Sequence, residues 1–121
     1  METIVQQISD SAMAISFTTG FIFVIAATIT LIFPPKSINY LYGYRTSSSM
    51  KNQERWDFAQ RYSGIKMLQL GLFLIAFSLL NFFMKLNEDL QLIFSLIAIV
   101  LVIAFLFFTT EKAIKKNFQN Q

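Results

Sequence analysis

The sequence predicts an all-α membrane protein, with three transmembrane helices and a cytoplasmic interfacial helix between the first and the second. Three observations carry that prediction. The first is composition: 55% of the 121 residues are hydrophobic and 14% are charged, against about 25% charged in ordinary soluble domains. The second is patterning. The charges are excluded from three apolar blocks of 23, 18 and 21 residues, at 11–33, 67–84 and 90–110. Uncharged runs of that length match the hydrocarbon core of a bilayer, where each helix must satisfy its own backbone polar groups. The third is the segment 34–66 between the first two blocks, which holds the single tryptophan, both prolines, all four tyrosines and six of the ten Lys and Arg. The whole chain reads as one membrane domain.

Residues 1–10 form a polar tail with Glu2 and Asp10 and no basic residue. A cleavable secretory signal would open on basic residues and close on a small-residue site, so the first block is expected to stay attached. Within it Ala12, Ser16 and Gly20 recur every fourth residue, a strip that could bring two membrane helices together in a homo-oligomer; chance spacing in a helix rich in small residues explains it equally well. Pro34-Pro35 ends the block, because proline donates no N–H and restricts the residue before it. Ser49 could cap a helix starting near Met50 and running to Lys66. On it Phe58, Tyr62 and Ile65 share a face, Trp56 lies nearly opposite, and Asp57 and Arg61 are spaced to pair. Aromatics on two faces place that helix in the interfacial zone. The second block contains Gly71, inside a helix, where a larger residue is expected to be tolerated unless another helix packs there. The turn 85–89 is short enough to make the last two helices an antiparallel hairpin.

The side of the membrane follows from charge. With three spans, the amino tail and the 85–89 turn share one side and carry one Lys or Arg, whereas the central segment and the carboxyl tail share the other and carry nine. Basic residues of short loops stay cytoplasmic, so the central segment and the C-terminus are expected in the cytoplasm and the N-terminus outside.

The central segment holds a motif: Asn39, then Tyr42-Gly43-Tyr44-Arg45-Thr46, then Ser49, Asn52 and Trp56. This arrangement resembles the signature of the SdpI family of small bacterial membrane proteins, in which an Asn, a Gly-x-Arg-Thr and a downstream Trp lie between a first span and a helical hairpin. The resemblance implies a bacterial inner-membrane protein. The family's namesake protects its bacterium against a secreted peptide toxin and signals the toxin's presence by holding a transcriptional repressor at the membrane. This chain is shorter than the namesake and resembles its motif-bearing part. The resemblance therefore implies peptide-toxin immunity or envelope signalling, with a toxin or another membrane protein as partner.

Taken one by one, the motif residues admit two roles. Arg45 offers a planar fork of five donors suited to phosphate or carboxylate; alternatively it caps the helix-end carbonyl of Phe33 or pairs with Glu54 or Asp57. Trp56 reads as an interfacial anchor. Gly43 supplies a backbone angle or a close approach that a side chain would block, and Asn39 and Asn52 tie loop backbone together. Enzyme chemistry has little to draw on. The chain has no His and no Cys, its four glycines do not cluster, and Glu54 and Asp57 sit among arginines as a surface ion network would. No catalytic residue, metal or cofactor is implied. The basic segment is better matched to anionic lipid than to nucleic acid. A different class of function stays open, that of an accessory subunit packing against a larger membrane complex through the small-residue strip.

Overall fold

The computed structural model describes the backbone of residues 2–84 and 87–119 and the side chains of residues 14–80, 83, 87 and 89–119. Three helices make up its regular structure: α1 (Glu2–Ile32), α2 (Gln53–Met84) and α3 (Glu88–Asn117). Each is long and apolar enough to cross a membrane. Their outward surfaces are large apolar side chains such as Ile22, Leu72, Phe73, Val100 and Leu101, all exposed to what would be lipid. Some hydroxyls inside the spans are satisfied along their own helices, as when Thr19 donates to the Ile15 carbonyl and Thr109 to that of Phe105, whereas the buried hydroxyls of Ser16, Ser95 and Thr110 have no partner among the described residues.

The interfacial helix expected as a separate element does not exist. Its residues from Gln53 onward are the first turns of α2, which continues without interruption through the second span. No proline falls between Gln53 and Met84, and Gly64 is accommodated against Leu31 of α1. The 32 residues reach about 48 Å at 1.5 Å each, well beyond a 30 Å hydrocarbon core. α2 therefore projects past the apolar layer as a stalk carrying Arg55, Trp56 and Gln60. Its cap is Asn52, whose Oδ1 accepts from the Arg55 N–H at 2.9 Å. Ser49 instead closes a turn one step earlier, accepting from the Thr46 N–H.

α1 packs most extensively on α2. At the closest point Gly20 faces Gly71: a Cβ on either glycine would lie 2.8–2.9 Å from the other's carbonyl oxygen. Gly71 is thus a helix-contact position, and the tolerance expected there is corrected. Ser16 and Gly20 are buried within the chain rather than presented outward, and the side chain of Ala12 lies outside the described residues. α3 crosses both neighbours with fewer contacts, and continues beyond its apolar block to Asn117. That continuation brings Glu111 to the level of the central segment.

Candidate functional site: a loop cap clamped by Glu111

Residues 34–52 fold into a cap over one end of the bundle, and the chain ends around it explain why. α1 stops at prolines, which leaves carbonyls at its end without helical partners. Two motif aromatics supply the donors. Tyr42 Oη donates to the Phe33 carbonyl and Trp56 Nε1 to the Pro35 carbonyl, each at 2.7 Å. Trp56 is fully buried, which overturns its reading as an interfacial anchor: its indole N–H is used inside the protein to terminate α1. Asn39 performs its expected task, accepting from the backbone N–H groups of Leu41 and Tyr42.

Gly43 is the pivot. Its φ of 109° lies in the left-handed region, and a Cβ there would sit 2.5 Å from Gln60 Oε1. Both expectations for this glycine hold at once. The room it leaves lets the Gln60 side chain lie along the backbone. Gln60 Oε1 accepts from the Tyr44 N–H at 2.7 Å, and Gln60 Nε2 donates to the Tyr44 carbonyl at 2.8 Å.

Glu111 closes the cap from α3. Its carboxylate accepts from Tyr44 Oη at 2.7 Å, from Thr46 Oγ1 at 2.6 Å and from Ser48 Oγ. Burial alone would raise the Glu111 carboxyl, but the three hydroxyl donors and the nearby Lys115 charge outweigh it and hold the group below the usual carboxylate range. Burial, reinforced by the Glu111 hydrogen bond and charge, pushes the Tyr44 phenol up. At neutral pH the contact is therefore a phenol donating to a carboxylate, a charge-assisted bond of the stronger kind. Arg55 ties in the far side, donating to the Ser48 and Phe118 carbonyls at 3.3 Å, with its guanidinium 5.7 Å from the Phe118 ring.

Arg45 stands apart from this network. It is exposed, and it makes no hydrogen bond or ion pair with the described residues. The roles open to it as a strut are filled by others: Tyr42 takes the Phe33 carbonyl, and Asp57 accepts from Gln53 rather than from an arginine. The predicted Asp57–Arg61 pair does not form. Arg45 lies instead on the wall of a crevice of about 450 Å³ where the cap meets all three helices, among Phe23, Gly43, Gly64, Met67 and Phe107.

The structure thus gathers Asn39, Tyr42, Gly43, Tyr44, Thr46, Asn52 and Trp56 into one scaffold and sets Arg45 on its outer face. Sequence reasoning missed Glu111, Gln60 and Ser48. The signal for Glu111 was its place as the first charge after 21 uncharged residues, but its partners lie more than 60 residues away. Among the described residues no three Asp or Glu converge on a possible metal site. The arrangement sets the Arg45 guanidinium beside the apolar side chains of Phe23, Met67, Leu106 and Phe107 in one crevice.

A family model described as the SdpI/YfhL protein family matches residues 36–110. The chain is 41% identical over 99 residues to Uncharacterized protein YfhL of Bacillus subtilis (strain 168), an alignment covering 79% of this chain and 82% of that protein. No solved structure matches. Glu111 lies one residue past the matched segment, so the clamp joins the family's motif to a part of the chain that the match leaves out.

Proposed function

The chain belongs to the SdpI/YfhL protein family, and from that premise we propose that it is a non-enzymatic bacterial inner-membrane protein that recognises a peptide, in peptide-toxin resistance or related envelope signalling. The observation that carries this reading is the contrast inside the motif. Eight of its residues are spent on holding the cap, while the guanidinium of Arg45 is left available beside a largely apolar crevice. A rigid cap with one uncommitted planar fork suits recognition of a carboxylate, with the partner's apolar side chains entering between the helices. The crevice walls descend to Phe23 and Ile103 within the spans, so a peptide already inserted in the bilayer can reach it. In the proposed orientation the N-terminus is outside and the cap and C-terminus are cytoplasmic, following the nine-to-one bias of basic residues. The accessory-subunit alternative needs a free small-residue strip, and two of its three members are already packed inside the chain.

The test is survival of cells expressing the wild type, Arg45→Lys or Arg45→Ala when challenged with a toxic peptide encoded beside the gene, with folded protein in the membrane measured alongside. Lysine keeps the charge and loses the fork. Both variants are expected to accumulate normally and to lose protection. Wild-type protein that gives no protection overturns the resistance reading.

A further inference from the structure

We propose that the groove between α2 and α3 is a binding site for one anionic phospholipid, its headgroup held by Lys66, Lys112 and Lys116 and an acyl chain laid along the helices below. This site shares no lining residue with the cap crevice. The lower part is a wholly apolar groove of about 790 Å³ lined by Leu70, Phe73, Phe77, Phe94, Leu101 and Phe108 among others. From Phe94 to Phe108 it runs 14 residues of α3, about 21 Å, which is more than half of a 30 Å hydrocarbon core and so the depth one lipid tail reaches.

A second recess lies beyond the apolar layer, and Lys112, on its wall, reaches back over the Phe108 ring of the first. Phe58, Tyr62, Lys66 and Leu70 succeed one another at four-residue spacing on one face of α2. Phe58 and Tyr62 line an upper segment of about 440 Å³ together with Thr109, Lys112 and Lys116 of α3. The ammonium groups are held over the groove's own rings, Lys66 at 5.7 Å from the Tyr62 centroid and Lys112 at 6.0 Å from that of Phe108. None of the three lysines forms an ion pair with the described residues, and no carboxylate lines either segment. Glu111, the acid next to Lys112, is engaged by three hydroxyls of the cap. An apolar trench that ends in unpaired cations at headgroup level complements an anionic lipid, and a zwitterionic one poorly.

The full chain, purified in mild detergent, would be mixed with equal amounts of phosphatidylglycerol and phosphatidylcholine, and the lipid retained per protein measured by native mass spectrometry at low salt. The wild type is expected to retain phosphatidylglycerol preferentially. Lys112→Gln/Lys116→Gln should lower that preference by about 30-fold, roughly fivefold for each lysine. Ala104→Trp, which fills the lower groove and leaves the lysines in place, should cut retention of both lipids. Emission of the buried Trp56, which lies in the cap, reports that the lysine variant is folded. Equal retention of the two lipids by the wild type, or a folded lysine variant that keeps the preference, overturns the proposal and gives the groove to a partner helix instead.

Discussion

At the scale of the residue, the motif divides into side chains that make the cap and one that does not. Asn39 and Gly43 were legible from sequence because each acts through its own local backbone, by an Asx turn or a left-handed φ, whereas the helix cap expected at Ser49 falls on Asn52. Trp56 was not legible, because its burial depends on prolines 21 residues earlier leaving a carbonyl to satisfy. Glu111 was the least legible, since nothing local marks a carboxylate as the acceptor for hydroxyls from a distant loop. Its titration gives a pH signature. A carboxylate whose folded pKa lies below its unfolded value contributes stability that is complete above the usual carboxylate range and is lost as pH falls through the lowered value. The melting temperature in detergent is therefore expected to fall on acidification below about pH 4, the unperturbed carboxylate range. Glu111→Gln should melt lower than the wild type at pH 7 and lose less on acidification. A variant whose acid profile parallels the wild type's would show that Glu111 is not the titrating clamp.

At the scale of the element, the three spans were readable because lipid imposes length and excludes charge, and both are visible in a single sequence. The boundary between an interfacial helix and a second span was not, because a change of polarity along a helix does not break it. Only backbone chemistry does, and no proline lies between Gln53 and Met84. Helix contacts were also hidden: whether Gly71 tolerates a larger residue depends on a neighbour that the sequence does not name, and that neighbour is Gly20. A valine at 71 would press its branches on Phe23, Val24 and the Gly20 carbonyl, an overpacking that typically costs about 1–3 kcal/mol. Gly43→Val incurs strain of the same order through its φ. Both variants are expected to melt well below the wild type, and Gly71→Val melting with the wild type would mean that α1 and α2 are not in close contact there.

At the scale of the whole molecule, the cap is where the three helices and both ends of the central segment meet, so its bonds report on the entire fold. Its side of the membrane can be read directly, since the chain has no native cysteine. With single cysteines at Ser47 and Asp89, both exposed, a membrane-impermeant thiol reagent applied to intact cells should label Asp89→Cys and spare Ser47→Cys; labelling at 47 would reverse the proposed orientation. The central claim is that the cap is held by its own contacts so that Arg45 stays free for a partner. Thermal unfolding of the intact protein, compared across wild type, Arg45→Ala and Glu111→Ala in one detergent, tests it most directly. Arg45→Ala should match the wild type within about 0.5 kcal/mol, as surface changes do, while Glu111→Ala, stripping three hydroxyls of their acceptor, should lose about 1–3 kcal/mol. An Arg45→Ala protein destabilised as much as Glu111→Ala would make Arg45 a strut of the cap and contradict the account.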